Sequence, residues 1–278
     1  MQYDLERSVA NHYGRQGLLD TILRGLEATG GDPAEPAPEQ LAPVDEFHTA
    51  GRITTARALG MMPIAADMHV LDAGCGLGGT ARYLAREHGC RVTGLDLTPE
   101  YIEVAEALTA RMKLDGACEF HTGSVLSMPF RDGSFDAAVT FHVAMNIADR
   151  ERFYGELARV LRPDAPLCVF DVMKGPAPGI VFPVPWAETP ATSFVKSPEE
   201  TRSLLSGAGF RVDEEKSERE FAIQFFGEIL ARAAKADGPP PLGLHLLMGR
   251  NAPEKFANYF RALESGQINP VIMVARRL

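Results

Sequence analysis

Positive charge is scarce in this sequence. Its 278 residues carry 28 Lys and Arg against 37 Asp and Glu, a net charge of −9. Nucleic-acid affinity comes largely from Lys and Arg on phosphates, so an acidic chain makes a poor polyanion binder. Arg276-Arg277 is too short to form a basic patch, and no basic groove interleaved with aromatics is visible. Cysteine is sparse as well. Cys75, Cys90, Cys118 and Cys168 form no CxxC pair and no Cys/His cluster at zinc spacing, so no metal site is expected. Each sits in or beside an apolar segment, the habit of buried free thiols in a reducing cytosol. No stretch approaches the roughly 20 apolar residues of a membrane span. The opening MQYDLERSVANHYG has no apolar leader core. A cytoplasmic protein, not a membrane one, is the expectation. Internal repeats and low-complexity tracts are also missing.

Hydrophobic residues, at 45%, are plentiful enough for a sizeable core. Residues 3–29 have helical spacing, with Gly14 and Gly17 as weak points. Residues 30–43, rich in Pro and Gly, read as a loop, and a short helix is expected near Arg52–Leu59. From there strands and helices alternate. Strands are predicted over 68–73, 91–97, 118–123, 134–142 and 166–173, with helices over 79–88, 99–113 and 149–161. Such alternation implies an α/β fold with parallel strands joined by right-handed crossovers. Residues 174–196 read as an insertion. A helix from Ser197-Pro198, a strand over 210–215, helices over 217–236 and 253–264, and a terminal strand complete the chain.

The most informative stretch is Val70-Leu71-Asp72-Ala73-Gly74-Cys75-Gly76-Leu77-Gly78-Gly79. A strand runs into a turn that opens a helix, and glycine lets a ligand approach the backbone without a Cβ in the way. Alone, a GxG turn is weak, since dinucleotide enzymes use similar loops. Here Asp72 precedes the glycines, and a second acid, Asp96, ends the next strand, where it can accept ribose hydroxyls. Strand-end acids that merely cap helices are the alternative for each taken singly.

These residues resemble the class I S-adenosylmethionine-dependent methyltransferases of small-molecule type, similar to the sarcosine/dimethylglycine and tocopherol group. The resemblance covers residues 48–175 and the final strand. It implies a Rossmann-like doubly wound sheet, mostly parallel with an antiparallel last strand, plus N-terminal helices and helical lid inserts. It also implies S-adenosylmethionine as cofactor, with S-adenosylhomocysteine as product. By resemblance Asp72, Gly74, Cys75 and Gly76 receive the methionine part, Asp96 holds the ribose, and Leu97, Ser124 and Val125 flank the adenine. Phe141 and His142 close the pocket. Many family members carry Asp where Ser124 stands, which weakens the contact to the adenine amino group. A dinucleotide-dependent oxidoreductase and a non-catalytic S-adenosylmethionine-binding regulatory protein remain the alternatives. The wording of the glycine turn argues against the first, since nicotinamide enzymes more usually read GxGxxG.

Ligands of open α/β sheets bind beyond the carboxyl ends of the strands. Candidates for the acceptor side therefore follow the fourth strand. His142 is the candidate general base; its competing role is a pocket-lining or hydrogen-bonded histidine. Met145 and Asn146 are acceptor-pocket candidates. Tyr13, His48, Trp186 and Phe225 come from segments outside the core, and core packing is the rival account of the aromatics. The (N/D)PP(F/Y) run of nucleobase and amide methyltransferases is absent. Residues 1–50 are expected to form a helical cap, and 51–278 the methyltransferase domain with inserts at about 174–196 and 217–266. A small-molecule acceptor is implied, with nitrogen the first expectation and oxygen or carbon close behind. The oligomeric state is not legible.

Overall fold

Strand order β3-β2-β1-β4-β5-β7-β6 defines one seven-stranded sheet. The computed structural model describes residues 2–14, 16–235, 238–249 and 251–278. The strands are β1 (His69–Ala73), β2 (Arg91–Asp96), β3 (Cys118–Thr122), β4 (Ala137–Phe141), β5 (Pro166–Lys174), β6 (Phe210–Ser217) and β7 (Ile268–Arg277). The first five pair in parallel, while β7 runs antiparallel between β5 and β6. The expected architecture is thus the observed one. The chain winds from β1 outward through β2 and β3, then returns to start β4 on the other side. That reversal leaves a crevice above the C-terminal ends of β1 and β4, where such sheets take their ligands.

Alternation along the central strands explains why both faces are covered. Leu71 and Ala73 of β1 enter one buried cluster with Ala138, Leu167 and Val169, roofed by helix α7 (Arg150–Val160). Val70 enters the opposite cluster with Ala137, Val139, Cys168 and Phe170, beneath α4 (Arg52–Leu59) and α6 (Pro99–Arg111). Side chains two apart point the same way, so strands read as apolar runs are buried on both sides. Asp72 shares the second face and sits at the end of β1. All four cysteines are free and buried.

Two further clusters lie over the strand ends. One joins α2 (Leu18–Ala28), α3 (Pro38–Asp45) and α6 through Leu18, Ile22, Leu26, Leu41, Val44 and Leu108. The other joins Val184 and Trp186 to α9 (Arg219–Ala233) and α11 (Ala252–Glu264) through Ala222, Phe226 and Tyr259. The helical stretch expected over 3–29 divides at its weak points into α1 (Gln2–Tyr13) and α2, and Gly17 at φ +71° starts the second. The loop expected over 30–43 contains α3. Pro38 occupies its first turn, Gln40 accepts a hydrogen bond from the Ala37 N–H, and Leu41 and Val44 are fully buried. Burial of those two side chains outweighs the poor helix propensity of Pro43. The expected helix over 79–88 begins as α5 (Gly79–Tyr83) and widens into a π-type turn over Leu84–His88. A short helix, α10 (His245–Met248), had no counterpart in the sequence reading.

Candidate functional site

The glycine turn is built by its φ angles. Gly74, Gly76 and Gly78 lie at +84°, +53° and +80°, a region that side chains with a Cβ occupy only under strain. Two of them also have no room for one. A Cβ on Gly74 would stand 2.1 Å from Val143 Cγ2, and one on Gly78 would meet the Phe120 ring at 2.8 Å. At Gly76 nothing lies within 4 Å, so its outer side is open. Asp96 ties this turn to the next one. Its Oδ2 accepts the Gly76 N–H at 2.9 Å and its Oδ1 the Thr98 N–H at 2.9 Å. Each carboxylate oxygen retains a lone pair for a ligand hydroxyl.

Asp72 is 2% exposed, and its Oδ2 has no hydrogen-bond partner. Burial, reinforced by the negative charges of Asp96 and Glu46, pushes its carboxyl up to about 7. Such a group is completed by a cation or donor brought in by a ligand.

Above the turn runs a segment that precedes the core. Gly79 lets it come close, since a Cβ there would be 2.5 Å from the Asp45 carbonyl oxygen. The fully buried Arg82 pairs with Asp45 and donates to the Leu77 carbonyl at 2.8 Å, stapling this segment to the turn. Glu46 takes the hydroxyl of Thr55, an Arg52 N–H at 3.2 Å, and lies 3.4 Å from His48 Nε2. Burial alone would raise its pKa, but His48, Thr55 and Arg52 together hold it below the ordinary glutamate value.

His142 follows β4 directly at φ +55°, its N–H donating to the Phe170 carbonyl at 2.7 Å. Its Nε2 accepts the Thr49 N–H at 3.4 Å and lies 3.3 Å from Thr49 Oγ1, which is 2.5 Å from the Tyr259 hydroxyl. Burial, together with the facing His48, holds the imidazole well below the ordinary histidine value, so it is neutral. Nearby, the Tyr13 hydroxyl donates to Asn146 Oδ1 at 2.9 Å. Asn146 Nδ2 in turn donates to the carbonyls of Trp186 at 2.8 Å and Thr192 at 3.0 Å. Helix α1 is thereby latched to the insert after β5.

One cavity collects these groups. It is lined by Asp72, Gly74, Cys75, Gly76, Asp96, Leu97, Ser124, Val125, Phe141 and His142, and also by Tyr13, His48, Met145, Asn146 and Trp186. Every sequence-nominated residue but Phe225 therefore faces one space. Phe225 lies outside the lining and packs against Phe221 and Phe226; its neighbour Phe226 reaches the cavity instead. A one-residue step on a helix turns the side chain by about 100°, so the error is one of phase. Trp186 both packs in the core and lines the cavity, with its Nε1 donating to Ser193 Oγ at 2.9 Å. Sequence reasoning missed Thr49, Tyr259 and Phe256. Nothing local marks them, since they join the site only through the tertiary fold. Among the described residues no group of three or more acidic, His or Cys side chains has metal-site geometry, and no helix is long and apolar enough to cross a membrane.

A glycine turn at the switch point, an acid ending β2 and a cavity over the strand ends mark a doubly wound α/β protein with a candidate ligand site at the switch point. Residues 71–169 match the model of a methyltransferase domain. Norajmaline N-methyltransferase of Rauvolfia serpentina is 34% identical over 101 residues, 36% of this chain and 35% of that protein. O-methyltransferase resE of Aspergillus sclerotiorum is 32% identical over 148 residues, 53% of this chain and 56% of that one. The matches thus span roughly a third to just over half of these relatives' lengths. A solved geranyl diphosphate C-methyltransferase from Streptomyces coelicolor A3(2), complexed with Mg2+, geranyl-S-thiolodiphosphate and S-adenosyl-L-homocysteine, superposes with TM-score 0.71. Its identity is 15%, over 99% of this chain and 98% of that one, so the likeness is one of fold. Residues 71–169 thus carry a methyltransferase-type domain, and the relatives that match part of this chain are N- and O-methyltransferases.

Proposed function

We propose that this protein transfers a methyl group from S-adenosylmethionine to a small-molecule acceptor held under the cap formed by α1–α3, the insert after β5, and α9–α11. The observation that carries this reading is one continuous cavity, with the glycine turn at one end and an aromatic chamber at the other. The residues present fit the cofactor. Asp72 offers a buried, unpartnered carboxylate oxygen for the cationic amine of the methionine part, and Gly76 offers a backbone whose outer side is open. Asp96 would accept the ribose hydroxyls, while Leu97, Ser124 and Val125 would flank the adenine. Ser124 already donates to Glu6 of α1 at 2.5 Å, which draws the cap over that end.

When bound, the cofactor supplies a methyl group already activated on a sulfonium. The protein's part is to align the acceptor's nucleophile, exclude water and accept a proton where one must leave. The Tyr13–Asn146–Trp186 latch keeps the cap closed over the reacting end. His142, neutral and hydrogen-bonded to Thr49, is the proton acceptor in this reading. Nitrogen was the first expectation for the nucleophile. The hydroxyl–imidazole chain of Tyr259, Thr49 and His142 supports oxygen instead.

Calorimetric titration of S-adenosylhomocysteine into wild type and Asp96→Ala tests the cofactor assignment. Micromolar binding to wild type, largely lost in a variant that still melts cooperatively, is the expected result. A wild-type protein that does not bind would refute it and turn attention to nicotinamide and flavin cofactors.

A further inference from the structure

The acceptor end of the cavity is described by what lines it. Trp186, Phe226, Phe256, Leu244 and Leu247 supply apolar surface. Among the described lining residues there is no Lys or Arg, and the fixed charges are the carboxylates of Glu6, Asp45, Glu46, Asp72 and Asp96. These acids are committed elsewhere. Glu6 holds Ser124, Asp45 pairs with Arg82, and Glu46 is bound by Arg52, Thr55 and His48. Asp72 and Asp96 belong to the glycine turn. A carboxylate or phosphate acceptor would lose its water and meet no Lys or Arg among the described lining residues, and His48 is already held 3.4 Å from the Glu46 carboxylate, which is unfavourable in a buried site. Among the described residues no group of three or more His, Cys, Asp or Glu side chains is placed to hold a metal ion.

What the chamber does offer is a chain of hydroxyls ending on an imidazole. Because His142 Nε2 accepts the Thr49 N–H, that nitrogen carries no proton, and the Thr49 hydroxyl donates to it in turn. Tyr259 then donates to Thr49 Oγ1, leaving a lone pair on the Tyr259 oxygen. Three segments far apart in sequence meet to make this chain. An amine gains nothing from it: as an ammonium it is no nucleophile, and as a free base it needs no proton acceptor before the methyl arrives. A hydroxyl is a weak nucleophile unless its proton departs as the new bond forms.

We infer that the acceptor is an uncharged compound carrying a hydroxyl group on an apolar body, docked through that hydroxyl on the Tyr259–Thr49–His142 chain. The inference rests on the methyltransferase reading above. The acceptor's O–H bond breaks as its oxygen gains the methyl group. That proton passes to the Tyr259 oxygen, the Tyr259 proton to Thr49 Oγ1, and the Thr49 proton to His142 Nε2. The products are a methyl ether and an imidazolium. A cation is consumed at the donor as the imidazolium forms, so the buried site gains no net charge. Thr49 is a positioning residue; Tyr259 touches the acceptor.

The test uses the full chain saturated with S-adenosylhomocysteine, whose own affinity is measured first. Matched compounds are titrated: 2-naphthol, 2-naphthoate and 2-naphthyl phosphate, then geraniol, geranate and geranyl phosphate. At least one hydroxyl form is expected to bind about 30-fold or more tighter than its anionic partners, a preference worth an unpaired buried charge. Tyr259→Phe should weaken that binding about five- to tenfold, one hydrogen bond's worth, with S-adenosylhomocysteine affinity unchanged. Nitrogen-15 NMR of labelled histidine should show His142 neutral with Nε2 unprotonated, and Thr49→Val, but not Thr49→Ser, should move that resonance. Anions binding as well as alcohols, no alcohol binding at all, or a His142 protonated at Nε2 would each overturn the inference. Loss of S-adenosylhomocysteine binding by wild type would instead indict the cofactor reading.

Discussion

Lowering the pH from 8 to 6 should weaken S-adenosylhomocysteine binding about tenfold through a single carboxyl group, Asp72. Its carboxyl is pushed up to about 7 by burial first, then by Asp96 and Glu46. With that value, about 0.9 of the free protein is protonated there at pH 6, about 0.5 at pH 7 and about 0.1 at pH 8. An ammonium docked on the unpartnered Oδ2 favours the carboxylate and draws its pKa back toward the ordinary range. Binding should therefore release close to those fractions of a proton, and affinity should fall by the same linkage. Calorimetry in two buffers of different ionisation enthalpy reads the release directly, and Asp72→Asn removes it. A heat of binding that is independent of buffer at pH 6, or a release undiminished in Asp72→Asn, would refute the reasoning. The same shift carries a sign for stability. The folded pKa lies above the unfolded value, so the contribution is present in acid and is lost as pH rises from about 4 to about 7, by up to about 4 kcal/mol. Denaturant unfolding of the ligand-free protein against pH, beside Asp72→Asn, checks it.

Gly79→Ala should push the Asp45–Thr49 segment away, because the new Cβ would sit 2.5 Å from the Asp45 carbonyl oxygen. Since the backbone there is ordinary, the melting temperature should fall only modestly while S-adenosylhomocysteine affinity drops tenfold or more on the scale of about 1.4 kcal/mol. Arg82→Met leaves the buried Asp45 with only Arg52, 4.0 Å away, and chemical denaturation should show a loss of about 3 kcal/mol. Tyr13→Phe removes the latch to Asn146 and should cost about 1 kcal/mol, seen as faster amide exchange in α1 with the sheet unaffected.

The sheet and the cofactor end were legible because their signals are local. Strand β1 carries an acid just before the glycine turn and β2 ends in a second acid, and the apolar runs of buried parallel strands are hard to mistake. Even Asp72 and Asp96 needed only the spacing of one βαβ unit. The cap was harder. Pro43 argued against α3, and only the burial of Leu41 and Val44 against α2 explains why that helix forms. Phe225 and Phe226 are adjacent, and sequence alone could not phase α9 toward the cavity.

Residues 70–79, with Asp96, were enough by themselves to determine the glycine turn and the acid that ties to it, since backbone conformation and strand-end placement follow from short-range sterics. The acceptor end was decided only by the tertiary structure. Thr49 reaches His142 across 93 positions and Tyr259 across 210, and contacts at such separations leave no periodicity to read. Which hydroxyl stands beside which imidazole is settled by how the cap packs on the sheet.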